Sequence, residues 1–238
     1  MKIMDNLPQK PLGRKAYGSI PHLPNSRLGP GEHTIPDGQV RIFTERLKEK
    51  DDRIYVQEKL DGSCVAVAKV NGQILALVRA GYLAQTSKFE LHQLFAHWVR
   101  ENTQRFDTFL AEGERAVGEW LAQAHGTRYN LRHEPFVLFD IMRDACRATM
   151  DELASRTFNG QFIRPHQIFC KPTTTEEAME ALASGGFHGA LDPVEGAVWR
   201  HERGDRVLNL AKFVRADKVD GRYLPEVSGK EAVWNWRP

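Results

Sequence analysis

The stretch QEKLDGSCVAVAKVNGQILALVRAGY, residues 57–82, decides the fold of this chain. Two runs of strand-forming residues meet at Asn71-Gly72, a dipeptide typical of the turn in a two-residue β-hairpin. A third run, RIYVQ, ends just before Lys59, so Lys59 is predicted in the turn region that opens the hairpin. Rigid strands can hold a reactive amine in one place, and the free N–H groups of a turn can bind a ligand. The position of Lys59 therefore suits a nucleophile.

The composition predicts a folded protein that lies outside the membrane. The chain has 238 residues, 41% of them hydrophobic and 27% charged, which is enough for one sizeable core. Its 33 Lys and Arg against 31 Asp and Glu give a net charge of +2, so the overall charge does not predict nucleic-acid binding. Cys64, Cys146 and Cys170 lack C-x-x-C spacing, which argues against a disulfide framework or a zinc site and predicts a cytoplasmic location. No apolar run approaches the roughly 18 residues of a membrane span.

Residues 1–51 differ from the rest, because Pro, Gly and Asn recur in them at short intervals with little periodicity. We treat residues 1–51 as an N-terminal arm and residues 52–238 as the main domain. The arm either packs on the core through Tyr17, Ile20 and Leu23, or offers aromatic and basic side chains to a substrate. The second interpretation uses Arg14, Lys15, Tyr17, His22 and Arg27. Both interpretations stay open at this point.

The remaining sequence predicts strands and helices without strict alternation, which is typical of an α+β fold. Further strands are predicted in RAVGEWLA, PFVLFDIM, VEGAVWR and RVLNLAKFV. Residues 88–102 predict a helix, because apolar residues recur there at helical spacing. Two capping-box patterns, Thr149 to Glu152 and Thr174 to Glu177, predict the starts of two more helices.

The segment EKLDGS is followed in chain order by five further short motifs. They are RAG at Arg79, GEW at Gly118, VLFDI at Val137, EGAVWR at Glu195 and LAKFVR at Leu210. A lone K-x-D-G is weak evidence, whereas an ordered set is much more specific. The set resembles the motifs of the covalent nucleotidyltransferase superfamily, which includes ATP-dependent ligases and mRNA capping enzymes, and specifically its ATP-dependent RNA ligase family.

The resemblance implies a fold, a reaction and a set of site residues. The fold is the adenylyltransferase (nucleotidyltransferase) domain of ligases, with antiparallel sheets flanked by helices, here over residues 52–238. Lys59 would attack the α-phosphate of ATP and retain AMP as a phosphoramidate. Glu119 would hold the ribose hydroxyls, Arg79 would reach the ribose or a phosphate, and Phe139 would stack on adenine. The implied nucleotide-binding residues are Glu58, Asp61, Gly62, Arg79, Glu119, Phe139, Lys212 and Arg215, and Glu195 would bind Mg²⁺ or Mn²⁺.

Elementary chemistry agrees with these roles. A free lysine has a pKa of about 10.4, so near neutral pH it needs a cationic neighbour or partial burial to lose its proton. Lys212 or a divalent metal could supply that positive field. Nucleotidyl transfer depends on neutralising phosphate oxygens and on in-line positioning more than on a general base.

Two features depart from the family's pattern. In the family, the motif that LAKFVR resembles commonly has two lysines as K-x-K. Here Leu210 stands two positions before Lys212, so one cation is absent or is replaced by Arg215. The short sequence after Arg215 also predicts no C-terminal OB-fold, the module that DNA ligases and capping enzymes append there.

Three functional hypotheses follow from the resemblance. The first is an ATP-dependent RNA ligase that joins a 5′-phosphate to a 3′-hydroxyl through a lysyl-AMP and an adenylylated 5′ end. The second is a minimal DNA ligase, and the third is a non-catalytic module that binds a nucleotide or nucleic acid with the same fold. RNA ends, or DNA ends in the second case, are the expected partners, and the sequence does not indicate whether a protein partner exists.

Overall fold

The computed structural model describes residues 10–238, which form two antiparallel β-sheets with helices around them. In the first sheet the strands lie in the order β7-β1-β8-β9, with β1 at Asp52–Lys59, β7 at Gln167–Phe169, β8 at Gly196–Arg203 and β9 at Arg206–Val214. In the second sheet the order is β3-β2-β4-β5-β6, with β2 at Ser63–Val70, β3 at Gln73–Val78, β4 at Glu114–Trp120, β5 at Phe136–Arg143 and β6 at Cys146–Arg147. The predicted α+β class is confirmed.

Six α-helices surround the sheets within these residues. They are α1 at Asp37–Thr44, α2 at Glu90–Glu101, α3 at Thr103–Phe109, α4 at Met150–Thr157, α5 at Thr175–Ala181 and α6 at Pro225–Ser228. The predicted helix over residues 88–102 is α2. Helix α5 begins with the full capping box, since the Thr174 side chain binds the Glu177 N–H and the Glu177 side chain binds back to Thr174. Helix α4 has only the first of these two hydrogen bonds, in which the Thr149 side chain accepts the Glu152 N–H.

The hairpin predicted at Asn71-Gly72 joins β2 and β3. Asn71 has φ 51° and Gly72 has φ 72°, the two positive values that a type I′ turn requires. The Glu112 carboxylate accepts the backbone N–H groups of both turn residues. The turn therefore sets the register, with Val70 opposite Gln73.

The predicted position of Lys59 in a turn is wrong. Lys59 is the last residue of β1, which pairs with β8 on one edge and β7 on the other. Because both edges of β1 are occupied, β2 cannot pair with it, and the segment Leu60–Gly62 crosses from the first sheet to the second. Lys59 thus lies where the two sheets meet.

Both faces of β2 are buried. Val65 and Val67 pack into an aromatic cluster that includes Phe95 and Trp98 of α2. Ala66 and Ala68 point the other way, as alternate residues of a strand do, and pack against Tyr17 of the N-terminal arm. The small alanine side chains leave room for the arm on that face.

The described part of the arm is attached to both sheets. Ala16 donates its N–H to the Arg79 carbonyl beside the second sheet, and Leu23 donates its N–H to the Lys212 carbonyl on β9. Tyr17 and Leu23 are buried and Ile20 is half-buried, so the arm packs on the core through the residues that the first interpretation named. Helix α1 was not predicted, because its short sequence follows Pro36 without a side-chain cap.

The second interpretation of the arm assigned five side chains to substrate contact. Tyr17 and His22 are buried in the fold, with 4% and 0% of their surfaces exposed, so neither is available on the outer surface of the arm to a nucleic acid. Arg14 and Lys15 are exposed, and Arg27 forms an ion pair with Asp220. A contribution of these basic side chains to substrate binding stays a prediction.

The chain after β9 turns back onto the core. Asn235 accepts the Tyr129 N–H at 2.9 Å and donates its side-chain amide to the Leu121 carbonyl at 2.8 Å, and Trp236 packs edge-on against Trp120. Among residues 215–238 the only regular element is α6, so the described chain contains no OB-fold in this region. None of the helices in the described chain has the length and apolar character needed to cross a membrane.

Replacing Leu23 by alanine tests whether the arm is part of the fold. Leu23 is fully buried with Ile35 and Phe43, so Leu23→Ala should lower the free energy of unfolding by about 2–5 kcal/mol. Leu28 on the same arm is 47% exposed, and Leu28→Ala should change it by less than about 0.5 kcal/mol. Urea unfolding curves of both variants make the comparison. Equal stability of the two would show that the arm is dispensable for folding.

Candidate active site

A cavity of about 630 Å³ lies between the two sheets. Residues of β1, β8 and β9 form one side of it, residues of β2 to β5 form the other, and Tyr17, Gly18 and Ile20 of the arm also line it. Nine of the ten site residues that the resemblance implied line the cavity, namely Glu58, Lys59, Asp61, Gly62, Arg79, Glu119, Phe139, Glu195 and Lys212. Arg215 does not.

The amine of Lys59 contacts the Glu195 carboxylate at one side of this cavity. The contact follows from strand pairing, since Lys59 at the end of β1 lies opposite Gly196 at the start of β8, and Glu195 directly precedes Gly196. The second oxygen of Glu195 accepts the amine of Lys218. One buried carboxylate thus bridges two lysines, and only 8% of its side chain is exposed.

The neighbours of Lys59 are anionic rather than cationic in the free protein. Burial by itself lowers the pKa of Lys59, but Glu195 and Glu119 outweigh that effect, and the pKa is raised. The expected positive field from Lys212 is reduced, because its amine binds Glu32 of the arm at 2.5 Å. The free protein therefore holds Lys59 as an ammonium ion.

Two glycines allow the chain to pass closely around Lys59. A Cβ atom at Gly62 would lie 2.5 Å from the Trp120 carbonyl oxygen, and one at Gly196 would overlap the carbonyl oxygen of Phe213. At both positions the close approach is to the protein's own backbone. Gly62 thus lets the crossing segment approach β4, and Gly196 lets β8 approach β9, on either side of Lys59.

Two glutamates beside Lys59, the buried Glu58 and the half-buried Glu119, resist ionisation. Burial raises the pKa of Glu58 to about 7, and one oxygen of its carboxyl accepts the Phe187 N–H at 2.8 Å. Burial, together with Glu195, also raises the pKa of Glu119 to about 7, although Lys59 opposes this rise. Glu119 accepts the Gly62 N–H at 3.0 Å. The second oxygen of Glu58, which has no partner in the described chain, leaves a buried acceptor at the cavity wall.

Asp61 fixes the crossing between the sheets. Its Oδ2 atom accepts the Gly126 N–H at 2.9 Å, its Oδ1 atom accepts the Lys218 amine at 3.0 Å, and its own N–H donates to the Tyr129 hydroxyl at 3.0 Å. With each of these groups satisfied, the backbone between Lys59 and Gly62 has one well-defined position.

Phe139 and Arg79 lie on the side of the cavity that the arm covers. The Phe139 ring is half-buried and meets the Tyr17 ring edge-on, with centroids 5.2 Å apart. The Arg79 guanidinium is exposed and donates to the Gly18 carbonyl and to the Ser19 hydroxyl, both at 3.2 Å. The arm thus positions a residue predicted to reach the nucleotide.

Arg215, which the sequence offered as a replacement cation, is held by contacts outside the cavity lining. Its guanidinium donates to the Val194 carbonyl at 3.0 Å and pairs with Asp217 at 2.7 Å. Lys218, three residues later, lines the cavity instead. The sequence analysis missed Lys218, because it follows β9 in a stretch, RADKVDG, that matches no motif.

The donor set near Lys59 fits a divalent cation that brings most of its ligands with it. The described residues contain no group of three His, Cys, Asp or Glu side chains arranged to hold a metal ion. Magnesium bound to one or two carboxylates takes its other ligands from phosphate oxygens and water. Glu195 is the carboxylate that would hold it here, once a lysine leaves one of its oxygens.

Comparison with known proteins identifies the family. The model of a family described as RNA ligase matches residues 52–214, more than half of the chain. The chain therefore belongs to the RNA ligase family. None of the curated proteins matches it.

Solved structures share the fold. A mutant of Naegleria gruberi RNA ligase with ATP and Mn is 18% identical, with a TM-score of 0.53 over 75% of this chain and 52% of that one. Another mutant of that ligase, with AMP and Mn, is also 18% identical, with a TM-score of 0.53 over 85% of this chain and 61% of that one. The chain thus spans less than two thirds of these proteins. At this identity the likeness shows the fold, which is the nucleotidyltransferase domain expected from the motifs.

The raised pKa of Glu58 predicts a pH-dependent cost to stability. A buried carboxyl that is neutral below its pKa adds stability at low pH, and this stability is lost as pH rises to about 7. Glu58→Gln cannot ionise, so without nucleotide its stability relative to the wild type should increase between pH 5 and pH 8. The gain should be on the order of 3 kcal/mol at pH 8, by urea unfolding.

Glu180→Gln, which changes an exposed glutamate on the same scaffold, is the matched control and should show no such trend. A difference between Glu58→Gln and the wild type that stays constant from pH 5 to pH 8 would contradict the assignment.

Proposed function

We propose that this protein is an ATP-dependent RNA ligase that joins 5′-phosphate and 3′-hydroxyl ends through a lysyl-AMP and an adenylylated 5′ end. The observation that supports it best is the position of Lys59. Its amine lies in a cavity large enough for a nucleotide, next to a buried carboxylate, and the other residues of the ordered motifs surround it.

In the first step the Lys59 nitrogen forms a bond to the α-phosphorus of ATP, and the bond to the β-phosphate oxygen breaks, so that pyrophosphate leaves. Lys59 must first lose the proton that the free site retains. Glu195, which already contacts the amine, is the nearest acceptor, and the positive charges of Lys212 and Lys218 in the same cavity favour the neutral form of Lys59. The positions of the reacting groups and the positive charges around them, rather than a separate base, then favour the transfer of AMP to Lys59.

The remaining roles follow the family motifs. Glu119 binds the ribose hydroxyls, Arg79 contacts the ribose or a phosphate, and Phe139 stacks on adenine, where stacking is worth roughly 1–3 kcal/mol. Glu58, Asp61 and Gly62 shape the wall on which the nucleotide lies, and Lys212 binds phosphate after releasing Glu32. Glu195 holds Mg²⁺ or Mn²⁺, whose chemistry is to neutralise phosphate oxygens. These residues all line the same cavity, and this supports the roles proposed for them. Arg215 does not line the cavity, so its predicted role in nucleotide binding has no such support.

RNA ends are the proposed substrate, and a cytoplasmic location is consistent with the three unpaired cysteines. Parallel sealing assays on nicked RNA and nicked DNA duplexes test the substrate. Preference for DNA would favour the minimal DNA ligase. A folded protein that binds ATP but gains no covalent AMP would favour the non-catalytic module.

Lys59→Ala should abolish both the covalent adenylate and sealing, because no other amine takes the attacking position. Intact mass after incubation with ATP and Mg²⁺ should show one added AMP on the wild type and none on the variant. Lys50→Ala, an exposed lysine nine residues earlier, is the matched control and should adenylylate like the wild type. Retention of AMP by a folded Lys59→Ala protein would rule out Lys59 as the nucleophile.

Removal of divalent cations should stop adenylylation, because the lysines that line the cavity are paired with carboxylates and leave too little positive charge to neutralise the triphosphate. In excess EDTA the mass increase should vanish, and added Mg²⁺ or Mn²⁺ beyond the chelator should restore it. A 5′-hydroxyl nick, as a substrate control, should stay unsealed with the metal present. Full turnover in EDTA would contradict this prediction.

A further inference from the structure

The strand that should supply two phosphate-binding cations presents a single one. Residues two apart on a strand share a face, so Leu210 and Val214 lie on the same face of β9 as Lys212. Both neighbours are apolar. Lys212, in turn, is bound to Glu32 of the arm. A second cation for the phosphates must therefore come from another segment.

Lys218 lies where such a cation is needed. Its amine is 3.0 Å from Asp61 Oδ1 and contacts the Glu195 oxygen that Lys59 leaves free. Its side chain is only 6% exposed and lines the cavity. Lys218 also lies beyond residues 52–214, the part of the chain that matches the family model. This cation therefore belongs to a segment outside the matched motifs.

Charge balance distinguishes Lys218 from an ordinary buried ion pair. In the free site Lys59 and Lys218 contact two buried carboxylates, Asp61 and Glu195, and Lys218 also lies 3.7 Å from the exposed carboxylate of Asp220. When Lys59 becomes a phosphoramidate it loses its positive charge, while the attached phosphate retains a negative one. Lys218 is then the ammonium group that remains in contact with Glu195 beside the new phosphate.

We infer that Lys218 binds the reacting phosphate and takes the place of the second lysine that β9 lacks. The inference rests on the proposed function, because it names a further residue of the same site. The Lys218 amine turns from Asp61 or Glu195 toward a phosphate oxygen of the nucleotide. It stabilises the charge that develops during transfer to Lys59 and again during transfer of AMP to the 5′ end.

Single-turnover adenylylation tests this inference. Lys218→Met keeps the length of the side chain and removes its charge, so the rate of lysyl-AMP formation at saturating ATP should fall about 10²–10³-fold. Sealing of a pre-adenylylated nick should fall as well, because the same phosphate is transferred. Lys230→Met, an exposed lysine of the same C-terminal segment, should match the wild type in both assays.

A purely structural role gives different results. If Lys218 only neutralises Asp61 and Glu195, Lys218→Met lowers the melting temperature while the protein that stays folded adenylylates at the wild-type rate, and the inference fails. If the Lys218→Met protein does not fold, Lys218→Arg tests the inference instead. A guanidinium retains the charge but not the geometry of the ammonium, so the melting temperature should stay near that of the wild type while half-saturation by ATP rises roughly tenfold.

An Arg variant with unchanged ATP dependence would overturn the inference. If the wild type itself forms no lysyl-AMP, the proposed function fails first. If the wild type forms it and both Lys218 variants do so equally well, only the role of Lys218 fails.

Discussion

The ion cluster around Glu195 is the interaction on which the rest of the structure depends. A charge removed from water must be paired, and an unpaired buried carboxylate would destabilise the fold. Glu195 meets this requirement with Lys59 at the end of β1 and Lys218 beyond β9. The cluster therefore fixes the places where three separate segments meet. The same ion pairs hold the Lys59 amine in the cavity as an ammonium ion. The contacts that stabilise the fold therefore also position the proposed nucleophile.

The arm shows how a small domain completes such a site. The second sheet has a face of alanines that needs a cover, and the arm covers it with Ala16 and Tyr17. Having crossed to β9, the arm brings Glu32 to Lys212, so the lysine that we propose binds phosphate is paired with a carboxylate in the free protein. The contacts that hold the arm in place thus also define one wall of the cavity.

Local patterns in the sequence predicted the elements well. The Asn71-Gly72 turn, the apolar spacing of α2 and the box at Thr174 each depend on residues a few positions apart, and each was confirmed. The motif order also predicted the family, and all the site residues that it implied except Arg215 line the cavity. The errors concern distant contacts: which sheet follows Lys59, and the presence of Lys218 beside Glu195. No short-range pattern encodes a contact between segments that meet only in the folded chain.

The cavity also has a consequence for the time at which the protein becomes competent during its synthesis. Its lining begins at Tyr17 and ends at Leu224, so almost the whole chain separates its first residue from its last. The ribosome makes the arm first, but β9, to which the arm hydrogen-bonds, is the last strand to emerge. A nascent chain therefore lacks the wall of the cavity that β9 forms until Val214 has been made, and a nucleotide finds no enclosed site before then.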